Sequence, residues 1–229
     1  MRKELDNIKT YINKYQQGYG IVYPEAHVIR LYEKFLKFEM GIDRAEGQRI
    51  LDFGCGSGTH LEYFLSKGFD VYGIDVIPQA IEQAQKKIPT HKQNLVCIKP
   101  GEDISVIFET KFDIIFANQS LYYLSNTDLE NTLAQFETIL NPNGIVYFTM
   151  MGTQCSYYDF STEVDDMDGL RKVVLDGRLN ETSYIGFVHN EEELIKKFQK
   201  FKPYFIGYYD CSDRDGSTFH HQFLGLKYG

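Results

Sequence analysis

Three glycines at alternate positions, Gly54, Gly56 and Gly58, follow an acid, Asp52, and lead into Thr59-His60. A residue without Cβ lets the backbone turn tightly and approach a ligand closely. The N–H groups that open a following helix then favour negative or polar groups above the turn. A second carboxylate, Asp75, closes the next apolar run, where an acid can accept from both hydroxyls of a ribose. The spacing is not that of a dinucleotide fingerprint, which has its third small residue at the position held here by Thr59. It is not a phosphate-cradling P-loop either, because no lysine follows the glycines.

Other groups could act on a bound acceptor. His220 and His221 are adjacent imidazoles able to take a proton near neutral pH. Tyr122 and Tyr123 lie in a loop after an apolar strand. Near the N-terminus, Tyr19 and Tyr23 precede His27 and Arg30, which with Lys34 form a basic ridge at helical spacing. No spacing of His, Cys, Asp and Glu suits a metal, so none is expected.

These residues need elements to position them. Ile50 to Phe53 reads as a buried strand, and Leu61, Phe64 and Leu65 continue at the helical period. Phe69 to Asp75 is a second strand, followed by a helix over 78–88. Leu95 to Ile98 is a third, and Phe112 to Ala117 a fourth. Asn126-Thr127-Asp128 is placed to cap a helix reaching Leu140. Asn141-Pro142-Asn143-Gly144 ends it, and Ile145 to Met150 is a fifth strand. A last helix over 191–201 precedes two strands, Tyr204 to Tyr209 and Phe219 to Lys227. At the other end, Leu5, Ile8, Tyr11, Ile12 and Tyr15 mark a first helix. Tyr23-Pro24-Glu25 begins a second, with Pro near its first position and Glu in its first turn. Residues 151–188 fall outside this alternation, and Asp176-Gly177 within them reads as a hairpin turn.

Leu-Asp-Phe-Gly-Cys-Gly-Ser-Gly, with Asp75 at the following interval, resembles the first motifs of class I S-adenosylmethionine-dependent methyltransferases. The resemblance covers residues 45–150 well and the final hairpin moderately. It implies an α/β, Rossmann-like sheet of seven strands, ordered 3-2-1-4-5-7-6, with the last strand antiparallel and helices on both faces. The whole chain is then one domain. Residues 1–44 form a helical cap, 45–150 the cofactor core, 151–188 an acceptor-binding insertion, and 189–229 the closing helix and hairpin. The cofactor implied is S-adenosylmethionine. Its contacts would come from Asp52, Gly54, Cys55, Gly56 and Gly58 at the turn, and from Asp75 and Val76 after strand two. Glu102, Asp103 and Ile104 follow strand three, where either acid is available to adenine, and Asn118 follows strand four.

The acceptor side departs from family patterns in two places. Asn118-Gln119-Ser120-Leu121 differs from the Asn-Pro-Pro-Tyr loop of enzymes that methylate adenine or glutamine nitrogens. Tyr123 stands where small-molecule methyltransferases often carry a histidine. Strand seven runs against its neighbours, which brings His220 and His221 to the rim where the other strands end, as base candidates beside Tyr123. Tyr19, Tyr23, His27, Arg30 and Tyr122 are the expected acceptor contacts, with Tyr15 as part of a cover. The Tyr23-to-Arg30 segment and the paired histidines are similar to methyltransferases of bacterial surface-glycan pathways. That points to O-methylation of a sugar, a nucleotide-linked sugar or a phosphate-type precursor. The alternatives are N-methylation of a small metabolite, methylation of protein or RNA, and a module that binds the cofactor without catalysis.

Composition narrows the partners. At 229 residues with 43% hydrophobic residues, the chain can bury one sizeable core. A net charge of -8 disfavours nucleic acid, whose phosphates need a positive face. No apolar run spans a membrane and no leader is evident. Four cysteines without paired spacing suggest a reducing cytoplasm. A small-molecule acceptor is the expected partner, and the oligomeric state is left open.

Overall fold

The computed structural model describes residues 4–16, 18, 20, 22–42, 47–175, 181–212 and 216–229. Tyr19, the Asp176-Gly177 turn and Arg178 lie outside them. Five parallel strands form most of the main sheet: β1 Arg49–Phe53, β2 Asp70–Asp75, β3 Leu95–Cys97, β4 Phe112–Ala117 and β5 Leu140–Met151. Two more complete it, β9 Phe201–Tyr209 and β10 His220–Lys227, with β10 antiparallel to both β5 and β9. The order is β3-β2-β1-β4-β5-β10-β9, as the resemblance implies. It reverses direction between β1 and β4, and in such sheets ligands bind at that switch, beyond the carboxyl ends of the strands.

Helices α3 Thr59–Ser66, α4 Pro78–Lys87, α5 Asn126–Ile139 and α7 Glu191–Lys197 flank the sheet. The central strands are apolar on both faces, so each face carries its own core. Leu51, Ile115, Phe136, Phe148 and Phe223 belong to one, and Ile50, Phe64, Phe69, Ile114 and Phe116 to the other. Helix α5 starts one residue earlier than its sequence suggests. Its cap is Ser125, whose hydroxyl accepts from the Asp128 N–H at 3.2 Å.

Helix α1 spans Glu4–Gln16. Helix α2, Ala26–Arg30, starts just after Glu25 and widens into a π-helical segment, Leu31–Glu39. Residues 151–188 contribute α6 Ser156–Asp159 and a small antiparallel sheet of β6 Ser161–Thr162, β7 Arg171–Leu175 and β8 Glu181–Ile185. This sheet holds α1 in place. The Asn7 side chain donates to the Tyr184 carbonyl at 3.1 Å and accepts from the Tyr184 N–H at 2.8 Å, and Thr10 donates to the Thr182 carbonyl at 2.9 Å.

Candidate active site

The glycine turn after β1 is tied to the end of β2. The N–H groups of Gly54 and Cys55 both donate to the Ile74 carbonyl, at 2.9 and 3.0 Å. All three alternate glycines have positive φ, at 79°, 54° and 76°. A Cβ on Gly54 would stand 2.5 Å from the Ser120 Cβ, so the turn fits against the loop after β4 only without a side chain. A Cβ on Gly58 would meet that of Ala84 at 3.0 Å, which is close helix packing rather than ligand contact.

Asp75 closes the turn from the other side. One carboxylate oxygen accepts the Gly56 N–H at 2.9 Å and the other the Ile77 N–H at 2.9 Å. A carboxylate oxygen has two lone pairs, so acceptor capacity remains on Asp75, which lines the cavity. Burial pushes its pKa up, opposed by the N–H groups of Ile77, Gly56 and Val76. Asp52 sits elsewhere, fully buried in β1 and outside the cavity wall, with Oδ2 unpartnered among the described residues. Burial, then the nearby Asp75, raises its pKa well above its ordinary value.

The cavity lies over the ends of β1, β2 and β4, with Gly54, Cys55, Gly56, Asp75, Val76 and Asn118 in its wall. Helix α1 roofs it. Ile8, Tyr11 and Tyr15 face in, and Tyr15 Oη lies 2.8 Å from where a Gly56 Cβ would be. Tyr11 and Tyr123 share a hydrogen bond between hydroxyls at 2.6 Å, joining the roof to the loop after β4.

A polar cluster that the sequence reading left unassigned lines one end. Glu25, read there as a helix-opening acid, is the extended residue before α2, and its carboxylate points into the cavity. It accepts from Asn118 Nδ2 at 2.9 Å and from Gln119 Nε2 at 2.9 Å. Gln119 has φ 55°, an uncommon conformation for a residue with a side chain, and Thr149 Oγ1 accepts its N–H at 2.7 Å. Backbone strain of this kind gathers at functional sites. Two imidazoles flank the carboxylate, with His60 Nε2 at 3.6 Å and His27 Nε2 at 3.8 Å from Oε2. Burial lowers both their pKa values, that of His60 to about 3, so both rings are neutral at pH 7.

Other expected contacts fall outside the cavity wall. Glu102 accepts from the Lys99 N–H at 2.7 Å, and Asp103 caps a short turn by accepting from the Ser105 N–H at 2.9 Å. The Ile104 N–H is spent on Gln135 at 2.8 Å. Tyr23 and Arg30 are exposed, and His27 turns inward to Asn118 at 2.9 Å, so the expected ridge does not form one face. His220 and His221 reach the rim but are buried beside the cavity rather than in it. Tyr209 explains this for His220: its ring stacks on His220 at 4.9 Å and on His27 at 3.7 Å, and Tyr122 covers another side. Burial lowers the His220 pKa to about 4, and lowers that of His221 as well. Tyr122 is buried in the same packing and likewise misses the cavity. No described residue of the insertion lines the wall, and its Arg171 is bonded to Glu163 at 2.8 Å. Among the described residues no cluster of His, Cys, Asp and Glu is arranged for a metal, and no helix is long and apolar enough to cross a membrane.

A parallel sheet with a glycine turn at its switch point and an acid ending the next strand defines a nucleoside-binding α/β domain. The chain belongs to the methyltransferase domain family, whose model matches residues 25–201. It is 31% identical to the Bacillus subtilis protein YqeM, named as a methyltransferase, over 58% of this chain and 53% of that one. It is 27% identical to the malonyl-[acyl-carrier protein] O-methyltransferase of Erwinia billingiae, over 55% and 47% respectively. The matches thus span about half the length of these relatives. The Burkholderia thailandensis 1,6-didemethyltoxoflavin-N1-methyltransferase, solved with S-adenosylhomocysteine, superposes with a TM-score of 0.65 at 18% identity, covering 98% of this chain and 88% of that one. The family's cofactor, S-adenosylmethionine, fits the residues present. Gly54 and Gly56 bring the backbone of the turn into the cavity wall, and Asp75 lines the same cavity with acceptor capacity for a ribose.

Proposed function

We propose that the protein transfers a methyl group from S-adenosylmethionine to a polar small molecule, at a hydroxyl oxygen of a sugar-type acceptor. The observation that carries the transfer is the joining of Gly54, Gly56 and Asp75 in the wall of one roofed cavity. When bound, the cofactor supplies a methyl on a sulfonium that leaves as a neutral thioether. The chain's residues then have to hold two ligands in line at about 3–3.5 Å and exclude water. Helix α1, pinned by Asn7 and Tyr11, supplies the exclusion.

The oxygen assignment draws support from the O-methyltransferase among the relatives, and the loop after β4 lacks the Asn-Pro-Pro-Tyr of enzymes that methylate adenine or glutamine nitrogens. A phosphate-type acceptor fits less well than a neutral sugar. Among the described residues no lysine or arginine lines the cavity, while Glu25 does. The same carboxylate favours a second reading, methylation of an amine, in keeping with the N1-methyltransferase of similar fold. Turnover of methyl-labelled cofactor against neutral sugars, amino sugars and sugar phosphates, read by mass spectrometry, tests both. Labelled methyl on a sugar oxygen is the expected result. Label on nitrogen alone selects the second reading, and no transfer from bound cofactor to any acceptor class refutes methyl transfer.

A further inference from the structure

The Glu25 end of the cavity contains more polar chemistry than holding the roof requires. Glu25 Oε1 and Oε2 each accept one amide N–H, from Gln119 and Asn118, and each keeps a free lone pair. The bond to a carboxylate fixes which way the Gln119 amide faces. Its two N–H groups go to Glu25 and, at 3.0 Å, to Tyr209 Oη. Its carbonyl oxygen is left without a donor among the described residues, in the same wall.

Among the described residues no lysine or arginine lines the cavity to balance the charge. The flanking imidazoles of His27 and His60 are kept neutral by burial, and the amides are neutral in any state. His60 Nε2 is buried without a hydrogen-bond partner among the described residues, 3.6 Å from the carboxylate, an unsatisfied group at the same spot. A partly buried carboxylate ringed by neutral groups gains most from a cation that brings several N–H donors.

We propose that Glu25, with the Gln119 carbonyl oxygen beside it, is the receptor for an ammonium group inside the cavity, and that His60 is a positioning residue for it. This rests on the reading that the cavity binds S-adenosylmethionine. Two molecules can bring the ammonium: the cofactor, through its α-amino group, or an amine-bearing acceptor. A purely structural Glu25 would clamp the segment before α2 to the loop after β4 and discriminate between no ligands.

Calorimetry separates these possibilities. Wild type, Glu25→Gln and His60→Phe are titrated with S-adenosylhomocysteine and with its analogue lacking the α-amino group. Binding of the nucleoside by wild type tests the cofactor reading on its own. If the cofactor is the source, Glu25→Gln weakens S-adenosylhomocysteine about ten- to a hundredfold and the des-amino analogue less than about twofold. His60→Phe shows the same selectivity at smaller size. If the acceptor is the source, both adenosyl ligands bind the variants as they bind wild type. The variants then lose about tenfold or more in kcat/KM for amino sugars relative to the matching neutral sugars. Equal weakening of both adenosyl ligands, or no change in either with unchanged preference among acceptors, overturns the proposal.

Discussion

Asp75 is where the cofactor assignment is most exposed to test. Its two carboxylate oxygens each hold one backbone N–H at 2.9 Å, and lone pairs remain on a side chain that lines the cavity. If two ribose hydroxyls occupy those lone pairs, each contact is a hydrogen bond to a charged acceptor, about 1.5–3 kcal/mol. The two share one carboxylate, so their effects do not add fully. Asp75→Ala should then cost about 2–4 kcal/mol of nucleoside affinity, roughly thirty- to a thousandfold in Kd. The unliganded protein should change much less. Removing Asp75 leaves two N–H groups unpaired, a loss, but relieves the burial that raises its pKa, a gain. Calorimetry with S-adenosylhomocysteine measures the first quantity and urea unfolding the second. The control is the 2′,3′-dideoxy analogue. Wild type should bind it about as weakly as Asp75→Ala binds the natural nucleoside, and the substitution should add little further loss. If Asp75→Ala weakens both ligands by the same factor, the carboxylate only shapes the turn and the ribose assignment falls. Unchanged affinity for the natural nucleoside would refute it more directly.

Gly54→Ala forces a Cβ to 2.5 Å from Ser120 at φ 79° and should destabilise the fold by several kcal/mol, read by urea unfolding. Gly101→Ala, also at positive φ but with open space around it, should cost only about 1–2 kcal/mol, and equal losses would refute the steric account. Tyr11→Phe or Tyr123→Phe breaks the 2.6 Å bond between roof and loop. Either should raise the S-adenosylhomocysteine off-rate about fivefold, and the double variant should do no more; additive effects would show that the bond is not shared. Asp52 has a raised pKa, so the folded chain keeps this proton after the unfolded chain loses its own near pH 4. The group's stability contribution is therefore whole below about pH 4 and is lost as pH rises toward the folded value, by about 1.4 kcal/mol per unit. Asp52→Asn should remove that slope, and parallel stability–pH curves for the two proteins would refute the assignment.

What could be read from the sequence follows from the range of each signal. The glycine turn and Asp75 depend on local backbone demands and on the ends of strongly apolar strands, so spacing alone located them. The same logic placed His220 and His221 correctly along β10, at the rim. It could not say that Tyr209, on the neighbouring strand, and Tyr122, nearly a hundred residues away, would wall off His220. Register and side-chain packing between distant segments decide which imidazole meets a cavity, and neither has a short-range signature. Glu25 was hidden for a related reason. An acid before a short helix matches a dipole-complementing residue, and only its partners Asn118 and Gln119, which follow β4, reveal another role.

The insertion shows how function can be served without lining a site. None of its described residues lines the cavity wall, yet β8 holds both Asn7 and Thr10 of the roof. The Gly186 N–H just beyond β8 donates to the Tyr122 carbonyl at 2.7 Å, in the loop that carries Tyr123. Roof, small sheet and β4 loop are thus linked by hydrogen bonds into a circuit that the Tyr11–Tyr123 bond closes across the cavity. Opening the roof requires breaking the bonds made by Asn7, Thr10 and Tyr11. Two neighbours, Asn7 and Tyr11, lie one helical turn apart on the same face, so the roof is better suited to hinge about the small sheet than to lift away from it. A change in β8 should therefore alter nucleoside exchange rates even though no residue of β8 lines the cavity.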